Sequence, residues 1–189
     1  MDKGITLIKG TPMIKIIYNK IKGLSDDIIL IVKSEQFYDR YYSIFEDKVR
    51  IMFDIINNVR NPVIGAYSCF NYSKYEYTLI LACDMPLIKV EALKFLIKNI
   101  DDYEAVLPIH PNGYTEPLHA IYKNKACIGK IKELIHINSN IKMMAFIKKL
   151  EKVCYLPVKL LRNFDPNLDI FYNVNTTHDI EYVEQRLEG

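Results

Sequence analysis

Residues 28–32 read Ile-Ile-Leu-Ile-Val, an aliphatic run too short for a buried helix and too apolar for a half-exposed strand, so it predicts a strand covered on both faces. The segment before it has helical spacing. Thr11-Pro12 offers an N-cap and a proline at the first helical position, and Met13, Ile16, Ile17, Tyr18 and Ile21 form an apolar stripe that ends near Gly23. The two rhythms then alternate: helix over 37–45, strand over 49–53, helix over 63–72, strand over 78–82 and helix over 90–100. Such alternation predicts parallel β-α-β units with right-handed crossovers. After Tyr103 the pattern changes: 105–108 and 117–122 read as strands around a turn at Pro111-Asn112-Gly113, a hairpin or wide-loop insertion. Helical periodicity returns over 125–136 and 141–150, strand-like composition over 153–161 and 171–174. Thr176, with Asp179 three residues later, caps a last helix running toward Leu187.

The 189 residues are 50% hydrophobic and 25% charged, which suits one soluble globular domain over 1–189. No repeat, low-complexity tract or linker divides the chain, and 157–169 is its most loop-like stretch. With 25 basic against 23 acidic residues and no Lys/Arg block longer than a pair, the chain carries no electrostatic footprint for nucleic acid or an anionic membrane. No apolar run approaches a membrane span, and Met1-Asp2-Lys3-Gly4 lacks the features of a signal peptide, so a cytoplasmic protein is expected. Cys69, Cys83, Cys127 and Cys154 form no C-x-x-C pair and read as buried, reduced thiols. The four histidines are equally scattered and suggest no metal cluster.

In open parallel α/β sheets ligands gather at the carboxyl ends of the strands, which directs attention to the residues just past each apolar run. Asp84 follows Leu79-Ile80-Leu81-Ala82-Cys83 and precedes Met85-Pro86; Asp54 follows Ile51-Met52-Phe53; Asn173 and Asn175 end the strand expected over 171–174. A strand-tip carboxylate suits Mg²⁺, which is usually held by one or two carboxylates plus substrate phosphates. Each of these residues taken alone also reads as a turn former or helix cap.

Together they carry a resemblance. Asp2-Lys3-Gly4 with Lys9-Gly10-Thr11-Pro12-Met13-Ile14, Asp54 with Pro62-Val63-Ile64-Gly65, Ala82-Cys83-Asp84-Met85-Pro86, Glu116-Pro117-Leu118-His119-Ala120-Ile121-Tyr122 and Phe171-Tyr172-Asn173-Val174-Asn175-Thr176 follow one another in order and spacing. In these motifs the chain resembles the molybdenum cofactor guanylyltransferases, within the wider family of sugar-nucleotide-like nucleotidyltransferases. The resemblance implies a Rossmann-like three-layer α/β nucleotidyltransferase fold with a mostly parallel central sheet. It implies attack of the terminal phosphate of molybdopterin, in its molybdenum or tungsten form, on the α-phosphorus of Mg²⁺-bound GTP. The products would be molybdopterin guanine dinucleotide and pyrophosphate. By the same resemblance Lys3 contacts the GTP phosphates, Asp84 holds Mg²⁺ and Asp54 helps bind the nucleoside. Asn175 stands beside the metal or the pterin phosphate, and Asn173, Pro117 and His119 belong to the pterin side. Molybdoenzymes or cofactor-insertion proteins are the implied protein partners. A molybdopterin cytidylyltransferase, a phospholactate guanylyltransferase and a non-catalytic pterin- or partner-binding paralogue remain alternatives.

The chain departs from the family at its start. The family opens with a strand leading into L-A-G-G-x-S-x-R-M/F-G, whereas this sequence begins where that motif is ending, and its seven glycines are all isolated. The expectation is either a start placed at an internal methionine of a longer polypeptide or a shortened paralogue without catalysis. Loss of a central strand leaves ladder groups of its neighbours unpaired, so a homo-oligomer is also expected. In addition, 57–61 lacks the glycine that commonly precedes P-h-x-G, which leaves the choice of base open.

Overall fold

A computed structural model describes residues 3–56, 61–137 and 141–187; the loop positions 57–60 that bear on base choice lie outside them. A single 3-10 turn, Lys3–Ile5, leads into a small antiparallel hairpin of β1 (Leu7–Ile8) and β2 (Thr11–Pro12). Its loop is Lys9-Gly10 with φ of 48° and 75°, the two positive angles that a two-residue hairpin turn requires and glycine adopts readily. Thr11 and Pro12 are therefore strand rather than helix start. Helix α1 (Met13–Ile21) begins one residue later, and its first N–H donates to the Thr6 carbonyl at 2.9 Å.

The alternation then follows the hydrophobic pattern: β3 (Ile29–Val32), α2 (Glu35–Phe45), β4 (Arg50–Phe53), α3 (Pro62–Tyr72), β5 (Tyr77–Leu81) and α4 (Val90–Lys98). Next come β6 (Ala105–Ile109), β7 (His119–Lys123), α5 (Asn124–Ile137), α6 (Met143–Ile147) and β8 (Val153–Pro157). Beyond β8 the chain turns through two 3-10 segments, Val158–Asn163 and Asp169–Phe171, before α7 (Thr177–Arg186). The expected strand over 171–174 does not form. Its backbone instead closes a turn, Tyr172 N–H to Asp169 carbonyl, and reaches across to β5, Val174 N–H to Asp84 carbonyl at 2.8 Å. The capping box at α7 does form, with Thr176 and Asp179 bonding each other's backbone N–H groups.

Strands β3 and β4 pair in parallel, and a second group runs β5-β7-β6-β8, in which β7 is antiparallel to both neighbours and β6 is parallel to β8. The chain thus places the returning strand β7 between β5 and β6 rather than at the end of a hairpin. Asp27 ties the starts of β3, β4 and β5 together by accepting from Arg50 and from the Lys74 N–H, so these three strands run the same way. Successive β5 side chains enter opposite cores. Tyr77, Leu79 and Leu81 pack with Ile17 of α1 and Leu93 and Leu96 of α4, whereas Ile80 packs with Val63 and Phe70 of α3 and Cys127 and Ile131 of α5. Helices therefore cover both faces, giving the expected three-layer α/β architecture. All four cysteines are free thiols, though only Cys127 is fully buried; burial pushes the Cys69 thiol up to about 12. No helix among the described residues is long and apolar enough to cross a membrane.

Candidate active site

At the exit of β5 three segments distant in sequence meet. Lys3, in the N-terminal turn, brings its Nζ to 2.9 Å from Asp84 Oδ2, and the same ammonium donates to Asn175 Oδ1. Three segments 81 and 172 residues apart in sequence thus converge on one cation. The Lys3 side chain is 43% exposed and that of Asp84 19%, so the pair is open to solvent on one side and supported on the other. Support comes from the backbone: the Asp84 carbonyl accepts from Val174, and Asp179 holds the Asn175 and Thr176 N–H groups at 2.9 and 2.7 Å. Asp179 also accepts from the Tyr172 hydroxyl, and these hydrogen bonds hold its carboxyl well below the usual carboxylate range. Asn173 is exposed beside this segment, its side chain bonded only to the Phe171 carbonyl.

Lys20 of α1 reaches the turn that follows Asp84. Its ammonium donates to the Pro86 carbonyl at 2.9 Å, and burial, with Lys89 adding repulsion, lowers its pKa to about 8. The Lys20 side chain thus braces the turn after Asp84. Asp54 leaves β4 with its Oδ1 at 3.2 Å from the Ser68 hydroxyl, which itself accepts the Ile55 N–H. Burial raises the Asp54 pKa, against the opposing pull of Ser68 and Lys33. This carboxylate is anchored to α3 close to Gly65, where a Cβ would stand 4.0 Å from it.

A second polar group lies at the same end of the sheet. Leu81 of β5 is in register with His119 of β7, so His119 sits at the strand exits, but its ring is fully buried and both nitrogens lack a hydrogen-bond partner. Burial alone lowers its pKa to about 4, so it is neutral, and it meets the Phe171 ring edge-on at 5.1 Å. Pro117 contributes its carbonyl to the Tyr122 hydroxyl at 2.7 Å. His110 and Glu116 form a pair that no motif announces: His110 Nε2 stands 2.8 Å from Glu116 Oε1, with burial raising the carboxyl pKa. Their six-residue separation spans the β6–β7 turn and fits no helical or strand period, so only the fold reveals the contact.

Among the described residues no cluster of three His, Cys, Asp or Glu side chains could hold a metal ion. The donors that do converge are one carboxylate and one amide oxygen already drawn to a cation. That set fits Mg²⁺, whose remaining positions are commonly filled by water and substrate phosphates.

In a three-layer α/β fold, Lys3 and Asp84 thus meet at the carboxyl end of β5, the part of the sheet where open α/β proteins bind their ligands. The chain belongs to the MobA-like NTP transferase domain family, whose model matches residues 1–153. Among its relatives, a molybdenum cofactor guanylyltransferase of Desulfosudis oleivorans is 27% identical over 100% of this chain and 88% of its own length. A probable molybdenum cofactor guanylyltransferase of Clostridium perfringens is 32% identical over 89% and 81%. A solved structure of molybdopterin-guanine dinucleotide biosynthesis protein A from Archaeoglobus fulgidus shares the fold, with a TM-score of 0.84, 24% identity and coverage of 100% and 91%.

Proposed function

We propose that this chain transfers GMP from GTP to molybdopterin, forming molybdopterin guanine dinucleotide and releasing pyrophosphate. The observation that carries the reading is the convergence of Lys3, Asp84 and Asn175 at the β5 exit, in a family whose relatives bear that activity in their names. A nucleotidyl transfer needs in-line positioning and charge neutralisation more than a protein nucleophile. Lys3 is the phosphate contact, since a triphosphate offers its ammonium a more anionic partner than one carboxylate. Asp84, with Asn175, would hold Mg²⁺, which when bound neutralises charge developing on the transferred and leaving phosphates. Asp54 takes the nucleoside side, and Asn173, Asn175, Pro117 and His119 the pterin side. His119, being buried and neutral, acts there by shaping the pocket floor through Phe171 rather than by donating a charge.

The test is Mg²⁺-dependent pyrophosphate release with molybdopterin and either GTP or CTP. Release with GTP alone is the expected result. Faster release with CTP would replace the guanylyl reading by a cytidylyl one, and no release with either would leave a binding protein.

A further inference from the structure

The loop between β6 and β7 holds a carboxylate that the proposed reaction leaves unused. His110 directly follows β6, and Glu116 lies three residues ahead of β7. The backbone between them is locked. His110 N–H donates to the Tyr114 carbonyl, Gly113 N–H to the His110 carbonyl and Glu116 N–H to the Pro108 carbonyl, at 2.8, 2.9 and 3.0 Å. The Glu116 side chain is only 9% exposed, yet His110 Nε2, 2.8 Å from Oε1, is its one hydrogen-bond partner among the described residues. A carboxylate drawn out of water with so few donors costs free energy that a ligand's N–H groups return.

Glu116 stands at the same end of the sheet as Asp84. Strands β5 and β6 are both antiparallel to β7, so their exits lie together. The Ala82 N–H donates to the Leu118 carbonyl at 2.9 Å, which carries the β5–β7 pairing to within two residues of Asp84 on one side and of Glu116 on the other. Phe171 completes the link: its ring meets His110 at 5.4 Å and His119 at 5.1 Å, both edge-on, and four residues later Asn175 accepts from Lys3. His119 is buried with both ring nitrogens unpartnered, so this end of the sheet holds two polar groups whose bonding capacity the fold itself does not use. Tyr114, exposed and with its ring 5.9 Å from that of His110, adds a flat aromatic surface. Asp54, by contrast, leaves the other strand group, β3–β4.

We propose that Glu116 is the specificity-determining residue for the pterin ring of the acceptor, its carboxylate receiving the ring N–H and the amino N–H of the 2-amino-4-oxopyrimidine edge. Those two donors lie side by side and match the two oxygens of a carboxylate, as the fork of an arginine does. Each oxygen accepts more than one bond, so the contact with His110 survives binding. The inference rests on the guanylyl-transfer reading, which puts the phosphates at the β5 exit and the nucleoside toward Asp54, and so leaves the β7–β6 side to the pterin. Guanine carries the same edge, and the two arms of the experiment separate these sources.

One arm titrates the 189-residue chain with 6-hydroxymethylpterin and with 6-hydroxymethyllumazine, in which an oxygen replaces the 2-amino group, and follows their fluorescence. The other compares GTP with ITP, which lacks the amino group of guanine, by calorimetry with Mg²⁺. The parent is expected to bind the pterin about tenfold or more tightly than the lumazine. Glu116→Gln exchanges one acceptor for a donor at nearly the same volume, so the preference moves toward the lumazine. The GTP-over-ITP ratio and the denaturant midpoint stay those of the parent. Binding of neither pteridine by the parent, or equal binding of both, would overturn the proposal without recourse to a variant. A Glu116→Gln chain that keeps the parent's preference would overturn it too, and one that loses the GTP-over-ITP ratio instead would assign Glu116 to guanine. Pyrophosphate release from GTP and molybdopterin, measured alongside, tests the underlying reading separately. Transfer without a pterin preference removes the role of Glu116 and keeps the reaction; a preference that depends on Glu116 without transfer keeps the role and removes the reaction.

Discussion

Asp84 and His119 stand at the same end of the sheet, past β5 and at the start of β7, yet respond to opposite physics. Asp84 is tied to the rest of the fold through its backbone carbonyl, which accepts from Val174, while its side chain pairs with a half-exposed lysine. Its truncation therefore spares the fold and removes charge from the site. We expect Asp84→Ala to unfold at the same denaturant midpoint and to lose about 10²-fold or more in the Mg²⁺-dependent transfer rate. An unchanged rate would take Asp84 out of the metal role. His119 is the reverse case, a group whose surroundings matter more than its own charge. Burial lowers its pKa from 6.5 to about 4, so the unfolded chain binds a proton in a range where the folded chain does not. The stability this represents is complete above pH 6.5 and is lost as pH falls toward 4, by about 3 kcal/mol. His119→Leu removes both the titration and two unpartnered ring nitrogens. Urea unfolding at pH 7 and pH 4.5 checks this: the variant should lose less stability between the two than the parent. A parallel loss in both would mean that the acid sensitivity lies elsewhere.

At the level of elements, helix α3 shows how one end residue fixes a whole layer. Asn61 accepts the Val63 N–H at 2.8 Å, Pro62 occupies the first turn, and the Asn61 amide also donates to the Ile141 carbonyl at the start of the α6 region. Asn61→Ala removes the cap and the tie together, and a loss of about 1–2 kcal/mol in a denaturant titration is the expected outcome. Most elements were legible because their apolar runs and stripes had the period of the structure they form: strand 28–32 and helix 63–72 are each matched within a residue at either end. The failures have physical causes. Phe171-Tyr172-Asn173-Val174 has strand composition, but its hydrogen bonds go to a 3-10 turn and to the Asp84 carbonyl, a choice made by tertiary contacts. Thr11-Pro12 satisfies the rules for a helix start, yet Lys9-Gly10 supplies a hairpin turn that outcompetes them. In the site, Lys3, Asp84 and Asn175 could be named from motifs in register. Lys20 and the His110–Glu116 pair could not, because each acts through a partner that no sequence period connects.

For the whole molecule the decisive feature is that three segments far apart in sequence, around Lys3, Asp84 and Asn175, make the site together. Lys3 lies in the first described turn, Asn175 just ahead of the last helix, and the β5 exit between them carries Asp84. A nucleotide gripped there is linked to the folding of all three segments, since it binds only when they are assembled. At a GTP concentration about 100 times its dissociation constant, with Mg²⁺ present, mass action adds about 2.7 kcal/mol to stability. For a domain of this size that corresponds to a rise in Tm of about 5–10 °C. Hydrogen exchange should show where the gain falls: slower exchange in 3–6, 84–87 and 172–176, with β8 and α5 unchanged. Protection at the β5 exit alone, without the two terminal segments, would mean that Lys3 and Asn175 hold Asp84 in the free protein but take no part in gripping the nucleotide. A rise in Tm with none of the three segments protected would move the nucleotide site away from the β5 exit altogether.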